Sequence, residues 1–133
     1  ATEAAASASV RPVLTPAQIE GLQELVRELY ADERIKGYLV ELVAATRDPK
    51  AYGLPELSDF VQYGASPRAT LALLSTARAH AFLQGRGYVV PEDVKEVAPD
   101  VLRHRVLLSY EAEAENVTSD QVVSRILERI EVP

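Results

Sequence analysis

Apolar side chains recur every three or four positions along most of the chain, which is the period of an amphipathic helix. Five such stripes lie between residues 15 and 132. A capping box, an aspartate or a helix-starting proline precedes each stripe. These start signals are Thr15 to Gln18, Asp32, Ser66 with Pro67, Pro91 with two acids, and Thr118 to Gln121. The pattern predicts about five helices and a mainly α fold.

Proline and glycine positions predict where these helices end. Asp48-Pro49 closes the second helix, because the residue before a proline avoids the helical conformation. Gly85 to Gly87 stops the third helix, which is predicted to run from Pro67 to about Gln84. Pro99 is expected to break or restart the fourth helix. Glu111 to Asn116 is expected to form an acidic turn before the last helix.

A long connection, Lys50 to Gly64, separates the second and third helices and is unusually apolar. Loops of this length are often functional, and the apolar side chains predict that this one packs against the domain. We expect the two helices to pack through four leucines, which are Leu39, Leu42, Leu71 and Leu74. Tyr88 to Val90 is β-prone and predicts a short strand. The expected architecture is a small bundle of about five helices with one short strand pair.

Composition narrows the function classes. The chain has 133 residues, enough for one domain, and a formal net charge of −6. This acidic balance disfavours non-specific nucleic-acid binding, so we expect no nucleic-acid partner. Cysteine is absent, which excludes thiolate chemistry and agrees with a cytoplasmic location. No apolar run has the length of a membrane span, so we expect no direct membrane insertion.

The sequence carries none of the compact motifs that mark a complete active site. Phosphate-loop, dinucleotide-binding and H-E-x-x-H patterns are absent from the sequence. His80 and His104 lie far apart, and we expect partly exposed histidines instead of metal ligands. Glu111, Glu113 and Glu115 alternate, but they fit a solvated acidic turn better than a catalytic pair. We therefore expect no metal site and no complete catalytic site in this chain.

One short stretch, YGASPRATLALL, places an arginine where helices seldom carry one. Ser66 is suited to cap the helix and Pro67 to begin it, so Arg68 falls in the first turn. That end of the helix dipole is positive and prefers anions. Either Arg68 points into solvent, or it binds an anion together with the free amides of the helix start. Gly64 and Ala65 would let the backbone approach such an anion closely.

A longer stretch, GASPRATLALLSTARAHAFLQGRGYVVPEDVKEVAPDVLRHRV, resembles the C-terminal lid domain of MoxR-type AAA+ ATPases. The resemblance spans about Val10 to Val106. Gly-Ala-Ser-Pro-Arg-Ala, Gly-Arg-x-Tyr-Val-x-Pro-x-Asp-Val and Val-Leu-x-His-Arg follow the family's order and spacing. The resemblance implies a helical lid over residues 10–133, and the Ala/Ser-rich composition of residues 1–9 predicts a linker or disordered tail before it. It also implies that Arg68 is the sensor-2 residue, which contacts the terminal phosphate of ATP.

What the resemblance implies extends beyond this chain. The α/β core that binds ATP and Mg²⁺ is missing, so the chain looks like an isolated lid that holds no cofactor by itself. The parent protein would be the ATP hydrolase. The implied partners are that core domain, neighbouring subunits of a ring, and a client that the sequence does not name. Proteins of this family are thought to act as chaperone-like factors in the assembly or maturation of client complexes.

Other basic positions are weaker candidates. Arg47 ends the second helix, where a cation also simply compensates the dipole. Arg103 and Arg105 flank a histidine in the most basic cluster, and they either dock against another domain or lie in solvent. Arg86, between two glycines, fits turn chemistry. The competing interpretation of the chain is a free-standing acidic helical interaction module with no nucleotide role, and a DNA-binding helix-turn-helix is less favoured.

Overall fold

The computed structural model describes residues 8–133, which form short helices around one apolar core. Within that range six α-helices form, which are α1 Pro16–Glu28, α2 Glu33–Arg47, α3 Arg68–Leu83, α4 Pro91–Leu102, α5 Tyr110–Ala114 and α6 Ser119–Arg129. The long connection contains two 3₁₀ turns, Pro49–Tyr52 and Pro55–Leu57. An antiparallel ribbon joins β1, Val61–Tyr63, to β2, Leu107–Leu108. The predicted mainly α bundle with one strand pair is confirmed, whereas residues 1–7 of the predicted tail lie outside the described residues.

Local hydrogen bonds explain three of the predicted helix starts. The hydroxyl of Thr15 accepts from the N–H of Gln18 at 3.2 Å, and the Gln18 side chain accepts from the N–H of Thr15 at 2.9 Å. Thr118 and Gln121 form a second capping box of the same kind. Asp32 accepts from an N–H in the first turn of α2 at 2.7 Å. These bonds satisfy amides that have no partner within the helix, so the three starts are confirmed.

The fourth helix is longer than its proline indicated. We expected Pro99 to break or restart it, but α4 continues through that residue and ends at Leu102. Val97 and Val101, on either side of the proline, are both buried in the core. Their packing outweighs the single helical hydrogen bond that a proline nitrogen cannot donate.

A short helix replaces the acidic turn predicted over Glu111 to Asn116. α5 begins after Ser109, whose hydroxyl accepts from the N–H of Ala112 at 3.3 Å. Asn116 follows the helix in the left-handed conformation, with a φ of 57°. Ala112 is fully buried, so packing against the domain stabilises a helical turn that the charge pattern did not reveal.

The core lies among α2, α3, α4 and α6. Leu39 and Leu42 of α2 are fully buried, which confirms their predicted place. For α3 the prediction of Leu71 is wrong, because that side chain is 69% exposed and Leu73 is fully buried instead. Leu74 is partly buried and packs against the core. The other buried positions of α3 are alanines at helical spacing, and they allow α4 to pack closely on that narrow face.

The strand pair forms away from the predicted strand. Tyr88 makes only an isolated bridge with Tyr30, and residues 88–90 form no strand. The ribbon instead pairs the end of the long connection with the segment after α4, and Tyr63 lies opposite Leu107. A strand needs a partner, which local β-propensity does not identify. Because β1 leads directly into the loop before α3, the ribbon also sets where that loop begins.

Candidate functional site

Arg68 lies in the first turn of α3, at the surface of the domain. Its side chain is exposed, and its guanidinium forms no ion pair with any residue in the range 8–133. The positive end of the helix dipole lies beside it, so the local field is unfavourable for a cation. A bound anion would relieve that repulsion, and a planar guanidinium is well suited to phosphate oxygens.

The start of α3 differs from the predicted one. Ser66 is not a side-chain cap; Pro67 takes the N-cap position, and no side chain of the described residues caps this helix. The N–H of Ala69 donates to the Ser66 carbonyl at 2.9 Å, and the N–H of Thr70 donates to the Pro67 carbonyl at 3.1 Å. These tight backbone turns occupy two of the amides that the sequence indicated were free. The guanidinium of Arg68 is therefore the main exposed donor at this helix start.

The last turn of α2 holds the loop before α3. The N–H of Ala65 donates to the hydroxyl of Thr46 at 2.9 Å, and that hydroxyl donates to the Val43 carbonyl at 2.6 Å. Thr46 and Ala65 are both fully buried. Gly64 lies so close to α2 that a Cβ there would come within 2.6 Å of the Arg47 Cα. Gly64 and Ala65, which were expected to let the backbone approach an anion, instead let the loop approach α2 closely.

Arg47, one of the weaker candidates, takes part in the same contact. Its Nη1 donates to the carbonyl of Ala65 at 3.3 Å, while the residue remains exposed. Its place in the last turn of α2 also compensates the negative end of that helix dipole. The structure therefore brings Arg47 together with the loop that leads to Arg68.

Arg103 joins two helices on another part of the domain. Its Nε lies 2.8 Å from a carboxylate oxygen of Asp120, and its Nη1 lies 2.9 Å from one of Asp100. The hydrogen bonds to Asp120 and then to Asp100 raise the pKa of the guanidinium. Arg103 thus links α4 to the first turn of α6, and carboxylates already engage its Nε and Nη1.

Arg105 lies nearer to the candidate site along the ribbon. It is exposed, and its Nη1 donates to the Val101 carbonyl at 2.6 Å. Because Tyr63 pairs with Leu107 in an antiparallel ribbon, the segment before β2 and the loop before α3 leave the ribbon at the same end. The two arginines of the basic cluster therefore make different contacts, since Arg103 pairs with carboxylates and Arg105 with a backbone carbonyl.

Sequence reasoning missed a buried charge cluster between α3 and α4. Asp93 is fully buried, and its two carboxylate oxygens each accept from Arg86 at 2.6 Å. The same carboxylate lies 2.7 Å from Nδ1 of His80 and accepts from the N–H of Val90 at 2.8 Å. Burial raises the pKa of Asp93, but hydrogen bonds from Arg86 and from its other two partners outweigh that effect and lower it to about 2.

The sequence held partial signals for this cluster. An arginine between two glycines indicated a turn, and an acid after the helix-starting proline indicated a favourable dipole contact. Only the fold shows that Arg86 and Asp93 pair and that His80 joins them. Since both carboxylate oxygens already have partners, the cluster joins elements of the fold and offers no open ligand position.

The remaining chemistry of the described chain is sparse. His80 is engaged with Asp93, and His104 is exposed and apart from it. Across residues 8–133, no group of three or more His, Asp or Glu side chains is placed to hold a metal ion. Over the same residues no helix combines the length and apolar character needed to span a bilayer. The strongest functional candidate is an exposed arginine that begins a helix whose preceding loop is anchored on α2.

A family model described as the AAA lid domain matches residues 57–126 of this chain. The matched range contains the ribbon, Arg68 with its loop, and the buried Asp93 cluster. It therefore covers the candidate site as well as most of the core helices.

Relatives of known name extend the similarity to nearly the whole chain. The chain is 38% identical over 123 residues to chaperone MoxR1 of Mycobacterium tuberculosis. That alignment covers 92% of this chain and 33% of the relative. It is 37% identical over 109 residues to protein MoxR of Methylorubrum extorquens. That alignment covers 77% of this chain and 32% of the relative. The domain also superposes on the crystal structure of a protein from Cytophaga hutchinsonii that is assigned as an ATPase, with a TM-score of 0.86 and 40% sequence identity. The superposition covers 88% of this chain and 36% of the other chain. The chain thus spans about a third of the length of these proteins.

Proposed function

This chain belongs to the AAA lid domains, in the MoxR type of AAA+ ATPase, and on that basis we propose that it is the sensor-2 lid of an ATP-hydrolysing protein. The observation that carries the proposal is the state of Arg68. The side chain is exposed, has no carboxylate partner among residues 8–133, and begins a helix whose preceding loop is anchored on α2. Such an arginine is available to an anion brought by another domain.

In the proposed role Arg68 donates to an oxygen of the terminal phosphate of ATP. Negative charge on the phosphoryl group favours a guanidinium over the water that it displaces, and the fork of donors fixes its direction. The rest of the parent protein would bind ATP and supply the Mg²⁺ chemistry, and this chain would contribute one positive charge. Release of the phosphate would then leave Arg68 beside the helix dipole again, so the lid responds to the state of the nucleotide.

The surface of α1 supports the proposed partner, which is the nucleotide-binding core of the parent protein. No residue of α1 is buried, although the helix carries an apolar stripe. A groove of about 380 Å³ separates α1 from α3 and is lined by Leu22, Val26 and Phe82, with Ile19 and Leu83 at 44% and 79% exposure. Exposed apolar surface of this kind favours contact with another part of a longer protein. Related proteins are about three times as long as this chain.

The proposal extends to chaperone-like work on a client, in the cytoplasm and within a ring of subunits. One relative is named a chaperone, and that name supports the extension.

The test is the steady-state ATPase rate of the full-length parent with Arg68→Ala. We expect turnover to fall about 10²-fold, because loss of one charge-stabilising donor has an effect of that order. Arg68→Lys restores only part of the rate, since a point charge cannot reproduce the planar fork. The melting temperature stays unchanged or rises slightly, because an unfavourable dipole contact is removed.

Arg34→Ala is the matched control, because Arg34 is another exposed arginine in the first turn of a helix. Its removal leaves turnover unchanged. Equal rates for wild type and Arg68→Ala, with both proteins folded, would contradict the sensor role.

Mixing experiments decide which subunit's nucleotide Arg68 contacts. Subunits with Arg68→Ala are combined with subunits whose phosphate loop is inactivated. If the lid acts across the subunit boundary, mixed rings contain intact composite sites and regain part of the activity. If the lid acts within one subunit, every site carries a lesion and the mixture stays inactive.

A further inference from the structure

The last turn of α2 and the loop before α3 meet through an unusually complete set of contacts. Both polar groups of Ala65 are engaged, since its N–H donates to Thr46 Oγ1 at 2.9 Å and its carbonyl accepts from Arg47 Nη1 at 3.3 Å. Gly64 lies against the α2 backbone with no room for a Cβ. These contacts fix the loop over two successive residues.

The hydroxyl of Thr46 has a defined orientation. It donates to the Val43 carbonyl at 2.6 Å, so its lone pairs are left to accept from Ala65. Both residues are fully buried, and water cannot replace the hydroxyl if it is lost. A buried N–H without an acceptor is costly, so the loop would move to recover one.

Arg68 depends on this anchor because its own helix start has none. No side chain of the described residues caps α3. Ala65 is the last residue before Arg68 with a hydrogen bond to another helix, and Ser66 and Pro67 bond only within the first turn of α3. A shift at Ala65 is therefore passed on to the first turn and to the guanidinium.

We propose that Thr46 is a positioning residue for Arg68, and that its hydrogen bond to Ala65 fixes where the guanidinium lies relative to α2. This inference rests on the proposed sensor role of Arg68. It assigns a function to a threonine that touches neither nucleotide nor phosphate. The effect is on geometry alone, since Thr46 is uncharged and buried.

The experiment compares Thr46→Val with Thr46→Ser in the full-length parent. Valine keeps the shape and removes the acceptor, whereas serine keeps the acceptor. We expect Thr46→Val to lower kcat at saturating ATP by about tenfold, because misplacing a positioned group by about 1 Å costs up to about 10²-fold. Thr46→Ser retains most of the rate. Thr76→Val is the matched control, since the Thr76 hydroxyl donates only within α3, to the Ala72 carbonyl at 2.7 Å.

A double-mutant cycle separates positioning from general destabilisation. If Thr46 acts through Arg68, then Thr46→Val has no further effect on kcat in the Arg68→Ala background. Additive losses in the double variant, or a Thr46→Val rate equal to wild type, would overturn the inference while leaving the sensor role intact. An Arg68→Ala rate equal to wild type would overturn both.

Should Thr46→Val fail to fold, Arg47→Met provides the second test at an exposed side chain, since methionine has no N–H donor. It removes the hydrogen bond to the Ala65 carbonyl and leaves the buried hydroxyl in place. We expect a smaller loss of kcat that again disappears in the Arg68→Ala background. A loss that adds to that of Arg68→Ala contradicts the positioning role.

Discussion

At the scale of single residues, the domain depends on a few groups whose structural role its sequence does not reveal. Asp93 is one, because three partners surround a carboxylate with no exposed surface. Gly64 is another, because its missing side chain lets two segments touch. Both can be tested by substitutions with a defined physical effect.

Stability is expected to depend on pH through Asp93. Its folded pKa of about 2 lies below the ordinary 3.8, so the folded state binds the proton less readily than the unfolded chain. The resulting stabilisation, on the order of 2 kcal/mol, is present above about pH 4 and is lost as the pH falls towards 2. Asp93→Asn lowers the free energy of unfolding near neutral pH by about 3 kcal/mol, because it leaves Arg86 partly buried without a counter-charge.

Urea unfolding of both proteins near neutral pH and near pH 2 measures this effect. The difference between wild type and Asp93→Asn narrows at the lower pH, since about half of the wild-type carboxyl groups are then protonated in the folded state. A difference that stays constant over that range would show that the carboxylate charge is not the stabilising feature.

Gly64→Ala is expected to destabilise the domain by about 1–3 kcal/mol. The added Cβ meets backbone atoms of Thr46 and Arg47, which cannot move aside as a flexible side chain would. Gly21→Ala is the control, because nothing lies within 4 Å of a Cβ at that mid-helix position. There, alanine stabilises by about 0.5–1 kcal/mol. Opposite shifts of the two melting temperatures support the close contact, and equal shifts contradict it.

At the scale of elements, α3 is the helix that carries both the site and the core. Its first turn presents Arg68, its buried face packs on α2 and α4, and its last turn brings His80 to Asp93. One rigid helix therefore connects the candidate phosphate contact with the buried charge cluster. A displacement of its start relative to α2 is opposed by the contact at Thr46.

The two leucine faces of α3 give a direct check of this packing. Leu73→Ala is expected to cost about 2–5 kcal/mol, because the side chain is fully buried and leaves a cavity. Leu71→Ala, at a position that is 69% exposed, changes stability by no more than about 0.5 kcal/mol. Denaturant midpoints of the two variants measure the difference. Equal midpoints would mean that the core face of α3 is wrongly assigned.

At the scale of the whole molecule, the proposed function makes this chain one part of a longer protein, acting on a nucleotide that another domain binds. It spans about a third of its relatives, and residues 8–133 contain no group of acids placed to hold a metal ion. One arginine on a helix start is too little to bind a triphosphate firmly. The proposed activity is therefore a property of the parent protein.

The isolated chain is expected to release no phosphate from ATP above background and to bind ATP only weakly. A phosphate-release assay with the full-length parent as the positive control measures the first, and calorimetry measures the second. Robust ATP turnover by a preparation of this chain, retained after further purification, would contradict the proposal that another domain binds and hydrolyses ATP.

The sequence alone determined the features that depend on nearby residues or on long motifs. Two capping boxes and the Asp32 cap were predicted because their hydrogen bonds span only two or three residues. The mainly α class followed from apolar periodicity, and the lid family followed from motifs in a specific order. Arg68 stood out because a cation at a helix start is locally unfavourable.

The tertiary structure alone decided what depends on a distant partner. The packing of α3 in the domain buries Leu73 and leaves Leu71 exposed, since helical period predicts an apolar stripe but not which neighbouring element covers it. Packing in the core allows α4 to continue past Pro99. The strand forms at residues 61–63, and not at residues 88–90, because only the former pair with β2. Thr46 and Ala65 are 19 residues apart, and only the fold reveals that the hydroxyl of one holds the backbone of the other in place.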